Sequence, residues 1–128
     1  MNNLIIDATR DKIFLTFIVR ENIYTCSHEN SKINFEKLMI LINEFLRNNK
    51  NSLNDVGAIY INRGPGSFAG IRNSLSTIKA LFLTKQLDYY CFSFEDFKES
   101  KTIKYAEVPQ LCEKYNIKKN LINPIYLS

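Results

Sequence analysis

A chain of 128 residues, 45% hydrophobic and 23% charged, has the length and apolar content for one compact domain with its own core, which excludes a disordered chain. Seventeen Lys and Arg against thirteen Asp and Glu give a net charge of +4, a mild excess that serves solubility and does not by itself mark a nucleic-acid binder. Cys26, Cys91, Cys112 and the single histidine His28 form no CxxC pair and no metal-ligand spacing, so they read as reduced thiols and a loop histidine, with no metal expected. The start, Met1-Asn2-Asn3 and then Leu4 to Ile6, lacks the basic segment and apolar length of a signal peptide. No run approaches the roughly 20 apolar residues of a membrane span, so the expectation is a cytoplasmic protein without membrane contact.

In chain order, Leu4 to Ile6 reads as a short buried strand ending at Asp7-Ala8-Thr9. Lys12 to Val19, rich in β-branched and aromatic residues, reads as a second strand, and Ile23 to Cys26 as a third after a turn at Glu21-Asn22. Ile33 to Leu46 carries apolar residues at helical spacing. Asp55 to Asn62 reads as a central strand, and Ser67 caps a helix running to about Leu83. Tyr89 to Ser93 is the last strand, Phe94 to Phe97 opens a further helix, and a short helix near Val108 to Tyr115 precedes an extended tail. The order β-β-β-α-β-α-β predicts an α/β domain with a mixed sheet, which is the order of the ribonuclease-H-like and actin-like fold.

The stretch with most information is Asn62-Arg63-Gly64-Pro65-Gly66-Ser67-Phe68-Ala69-Gly70-Ile71-Arg72, entered by a strand and left by a helix. It is not a P-loop, because no glycine is followed by Lys at the required place. Gly64, Gly66 and Ala69 formally meet a dinucleotide fingerprint, which leaves a small nucleotide- or dinucleotide-binding domain as an alternative function. That motif wants an acidic residue after the following strand, whereas Asp88 precedes it and Glu95 lies too far on. The remaining reading is a structural loop, Gly64, Pro65, Gly66, Ser67, Phe68, Gly70 and Arg72, that sets the angle of the helix.

Gly64 to Arg72 resembles the GPGSFTGLR signature of the TsaB (YeaZ) family of glycoprotease-like proteins. Leu4 to Thr9 is similar to that family's first strand, and Glu36, Leu38 and Ile42 to its first helix, although Asn34 stands where the family has His. Ser93-Phe94-Glu95 resembles its SLE step. Pro124-Ile125-Tyr126-Leu127 resembles its PxYLR end, with Ser128 in place of Arg. The resemblance implies a lobe over residues 1–97 and a shortened segment over 98–128, where the family carries a second lobe of similar fold. It implies a non-catalytic subunit that supports the paralogue TsaD, with TsaE, in placing a threonylcarbamoyl group on tRNA. It also implies that tRNA is met only indirectly, that no cofactor is held, and that a homodimer can form through the same helices.

The residues carry a parallel expectation. Asp7 ends the first strand where actin-like ATPases carry an acidic residue, but a lone carboxylate holds Mg²⁺ poorly, so it reads as a turn residue. In the first helix the apolar residues cover an arc of roughly 160°, wider than the roughly 100° that one buried stripe needs. In the second helix Phe68, Ile71, Leu75, Ile78, Leu81 and Phe82 form the apolar stripe, and the opposite side is small and uncharged. A solvent face normally carries Lys and Glu. Glu36, Met39, Ile40, Ala69, Asn73, Ser76, Thr77 and Ala80 are therefore the candidate partner-binding residues.

Overall fold

The computed structural model describes residues 2–126, so Leu127 and Ser128 of the PxYLR-like end lie outside the described residues. Five strands form one mixed sheet: β1 (Asn3–Asp7), β2 (Lys12–Val19), β3 (Asn22–Glu29), β4 (Ala58–Asn62) and β5 (Asp88–Phe92), in the spatial order β3-β2-β1-β4-β5. β1, β2 and β3 pair antiparallel as a meander, and β4 and β5 add in parallel to the other side of β1. The predicted element order and fold class hold.

The composition of each strand follows from its place. β2 alternates, sending Ile13, Leu15 and Phe17 into one fully buried core. β4, the sequence AIYIN, is buried at every position because helices or loops cover both of its faces. The first core joins the sheet to α2 (Leu38–Asn48) and α3 (Phe68–Lys85) through Leu38, Ile42, Leu46, Ile71 and Ile78. A second core on the opposite face gathers Ile5, Ala58, Tyr60 and Phe92 with Phe97 and with Val108, Leu111 and Cys112 of α4 (Val108–Lys114).

Several predicted elements shift. The helix expected over Ile33 to Leu46 is broken at Lys37, whose φ of −111° and ψ of 24° separate α1 (Lys32–Glu36) from α2. Ser31 caps α1 by accepting from the Asn34 amide at 3.3 Å. α1 buries no residue and lies against α3, whereas α2 packs on the sheet, and the break lets each half meet its own neighbour. The helix expected from Phe94 is one 3₁₀ turn, Phe94–Asp96. The third strand runs longer than expected, to Glu29, and carries His28, half-buried with its ring 3.8 Å from the Cys26 sulfur, so His28 is a strand residue and not a loop one.

After α4 the tail returns along the edge of β5. Asn120 donates its backbone amide to the Tyr89 carbonyl at 2.7 Å and accepts from the Tyr89 amide through its side chain at 2.9 Å. Farther on, the Ile125 amide donates to the Arg63 carbonyl at 2.7 Å, which brings the chain end beside the glycine loop.

Candidate functional site

The glycine loop starts from Asn62, whose side chain is buried and accepts from the Gly64 amide at 2.9 Å while donating to Asp7 at 3.2 Å. Gly64 has φ +111°, and a Cβ there would strike the carbonyl oxygen of Ile125, so only glycine fits. Pro65 follows, half-buried, through a cis peptide bond. Gly66 lies on the backbone of Thr9, whose carbonyl accepts from the Ser67 amide at 2.9 Å. Gly70 lies on the carbonyl of Ala8, so the first turn of α3 sits flush on the β1–β2 connection. Ser67 caps that turn, accepting from the Gly70 amide at 3.1 Å.

Arg63 ties this loop to the rest of the chain. Its guanidinium meets Asp96 at 2.6 Å and the Asn123 carbonyl at 3.1 Å. Phe68, expected in the apolar stripe, is instead 52% exposed and places its ring 4.7 Å from that of Tyr126. Ser74 takes a fully buried place in the stripe and satisfies its hydroxyl on the Ile71 carbonyl at 3.1 Å. Arg72 is exposed at the side of the helix.

Asp7 makes a turn with Thr9, accepting from its amide at 3.0 Å and its hydroxyl at 2.7 Å. The same carboxyl accepts from Asn62 and, at 2.6 Å, from the hydroxyl of Tyr105. It is fully buried, and Tyr105 of the C-terminal segment covers it. Burial first, and then the Asp7 carboxyl beside it, pushes the Tyr105 phenol well above its ordinary value.

The outward side of α3 has a different character. Ala69, Ser76 and Ala80 are exposed, and Asn73 and Thr77 are half-buried. The polar side chains satisfy themselves on their own helix: Asn73 donates to the Ala69 carbonyl at 2.7 Å, Thr77 to the Asn73 carbonyl at 2.9 Å, and Thr84 to the Ala80 carbonyl at 2.8 Å. Beside it, Glu36 is exposed, Met39 is half-buried and Ile40 is 55% exposed. Leu83, three positions after Ala80 on the same side, is 69% exposed, and Ile33 on α1 is 70% exposed. The sequence reading placed Leu83 at the helix end and Ile33 at a helix start and passed over both, although helical spacing from Ser76 and Ala80 marks Leu83. Asn62 and Arg63 head the glycine stretch in the sequence without a role of their own there; an Asn two residues before a glycine is a signal for the side-chain turn found here.

Residues 28–93, just over half of the chain, match the family model described as TsaD: tRNA N6-adenosine threonylcarbamoyltransferase. The chain belongs to the TsaD/TsaB (YeaZ) family. A tRNA threonylcarbamoyladenosine biosynthesis protein TsaB of Buchnera aphidicola subsp. Baizongia pistaciae is 34% identical over 71 residues, 48% of this chain and 32% of that protein. The TsaB protein of Buchnera aphidicola subsp. Schizaphis graminum is 29% identical over 90 residues, 70% of this chain and 43% of that protein. The chain thus spans about a third to two-fifths of the length of these TsaB relatives. YeaZ from Pseudomonas aeruginosa has the same fold, with a TM-score of 0.66 at 20% identity over 72% of this chain and 43% of that one. The match to the TsaD model takes in α1, α2, β4, α3 and β5, and so includes both the glycine loop and the outward side of α3.

Proposed function

We propose that this chain is a non-catalytic partner subunit whose α2–α3 side docks on helices of a TsaD-type paralogue, in the synthesis of threonylcarbamoyladenosine in tRNA. The observation that carries this reading is the outward side of α3. Its small residues allow a second helix to approach closely, and Asn73, Thr77 and Thr84 already have partners on their own backbone, so covering these three costs little. Ile33, Ile40 and Leu83 supply exposed apolar surface around them.

On this reading residues 1–97 are the docking lobe, and 98–128 serve as its cover over the second face. TsaE joins the complex, a second copy of the chain can take the partner's place on the same face, and tRNA is contacted through the partner. The subunit works in the cytoplasm and holds no cofactor. The glycine loop acts as the structural connection that aims α3. Gly64 and Gly66 back onto Ile125 and Thr9, and this fills the space a pyrophosphate would need at those glycines, against the dinucleotide alternative. The absence of a catalytic role is supported by a single histidine in the whole chain and by thiols that burial pushes up to about 11 in Cys26 and Cys91 and about 12 in Cys112, away from nucleophilic use.

The test is co-purification with the TsaD-type paralogue of the same organism, followed by light scattering. A stable heteromer is expected. Ala80→Arg, on the exposed side of α3, is expected to abolish it while leaving the circular dichroism spectrum and the thermal midpoint unchanged. Should Ala80→Arg leave both self-association and binding of the paralogue intact, the docking face is wrongly assigned.

A further inference from the structure

On the second face of the sheet, at the opposite end of the strands from the glycine loop, a cavity of about 590 Å³ opens beside α4. Its floor is an aromatic pair. Tyr60 and Tyr90 are register partners on β4 and β5, and their rings stack with centroids 4.8 Å apart and planes 8° from parallel. Its walls are amides and a carboxylate: Asn3 at the start of β1, Gln110 and Glu113 from α4, and Asn116 just after it. No Lys or Arg among the described residues lines it, and Lys114, the neighbour of Glu113, is paired with Glu99 at 2.9 Å.

The lining itself gives the cavity a chemical preference. Glu113 is the one charged residue of the lining, and Gln110 and Asn116 beside it are exposed and offer amide oxygens. The Tyr60 phenol is pushed up to about 12, by burial first and then by its neighbours Tyr90, Cys112 and Glu113.

We propose that this cavity binds a planar guanidinium-type cation, stacked on the Tyr60–Tyr90 pair with its N–H groups on the Glu113 carboxylate. A cation over a tyrosine face is attracted by the ring quadrupole. A guanidinium adds flat stacking and several donors in a fixed plane, which suits a wall of acceptors better than a compact ammonium does. Tyr90 is the more open of the two rings and offers the stacking face. Phosphate-bearing ligands are disfavoured, since no basic side chain stands ready to pair with them. The volume falls in the range of ligand sites, roughly 300–1,000 Å³.

The experiment is a titration of the full ¹⁵N-labelled chain, followed by NMR, with ethylguanidinium, with the peptide acetyl-Gly-Arg-Gly-amide, with its citrulline counterpart and with adenosine. Ethylguanidinium and the arginine peptide are expected to move the Asn3 side-chain amide and the Tyr90 backbone signals saturably, and the citrulline peptide is expected not to. Tighter binding of the arginine peptide would identify an arginine of a protein partner as the source of the cation, and equal affinity a free guanidino compound. Glu113 is exposed, so Glu113→Gln leaves the core intact, and it is expected to weaken binding about fivefold, as fits a solvent-screened ion pair. Equal shifts from the citrulline peptide, saturable binding of adenosine in place of the cations, an unchanged affinity in Glu113→Gln, or no saturable shift at all would each overturn the assignment.

Discussion

Asp7 and Tyr105 lie 98 positions apart, yet the tyrosine hydroxyl donates to the carboxyl at 2.6 Å. Half of this arrangement was legible in the sequence: a carboxylate two residues before Thr9 at a strand end is a turn, and a turn is found. The other half was not, because nothing local to Lys104-Tyr105-Ala106 says which buried group its hydroxyl will reach. The same burial governs the response to alkali. Folding raises Cys91 to about 11, and Cys112 and Tyr60 to about 12, above ordinary values of 9.0 and 10.0. Above about pH 9 the unfolded chain therefore releases protons that the folded chain keeps, so ν_U falls below ν_N and stability declines. The contribution is complete below the unfolded values and disappears as pH climbs through 11 and 12. Urea midpoints at pH 7.5, 9 and 10.5 should fall in that order, and Cys91→Ala should flatten part of the decline. A midpoint constant across the window would show that these groups are not shielded as the structure has them.

At the scale of elements, α3 shows how a loop motif becomes a geometric constraint. Ser67 was recognisable as its cap, and the helix boundaries came out within two residues, since capping chemistry and apolar spacing are both local. The contacts of its first turn were not readable, because they depend on where β1 and β2 turn. Gly70 decides between two effects of opposite sign. In an exposed helix, Gly→Ala would stabilise by roughly 0.5–1 kcal/mol through backbone entropy. Here the new Cβ would collide with the Ala8 carbonyl, a backbone atom that cannot swing aside, and overpacking of that kind costs about 1–3 kcal/mol. Gly70→Ala should therefore lower the denaturation midpoint, while Ser76→Ala on the exposed side of the same helix should leave it level or slightly higher. A rise in both would mean that α3 is not seated on the β1–β2 connection. The break at Lys37 shows the complementary limit. The apolar spacing runs through it without interruption, and only the different neighbours of α1 and α2 require the two axes to part.

At the scale of the whole molecule, the sheet needs a cover on each face, and the two covers come from different parts of the chain. The helices α2 and α3 cover one face from within residues 1–97; on the other, Ile5, Tyr60, Phe92 and Phe97 are covered by Val108, Leu111 and Cys112 of α4. The tail fastens that second cover through Asn120 on Tyr89 and through Asn123 and Ile125 on Arg63. The sequence pattern weakens after Lys98, so this role was hard to see: α4 is a seven-residue helix, too short to declare an amphipathic face. Fully burying a large apolar side chain is worth about 1.5–3 kcal/mol, and removing the cover would uncover Ile5, Phe92 and Phe97 together. That loss is comparable to the whole stability of a small domain, about 5–15 kcal/mol. Residues 1–97 expressed alone should therefore be insoluble or should bind a hydrophobic dye strongly, while the full chain unfolds in one cooperative transition. If the 1–97 fragment instead proved soluble, dye-silent and cooperative, the second face would need no cover from this chain, and α4 and the tail would be free to serve a partner.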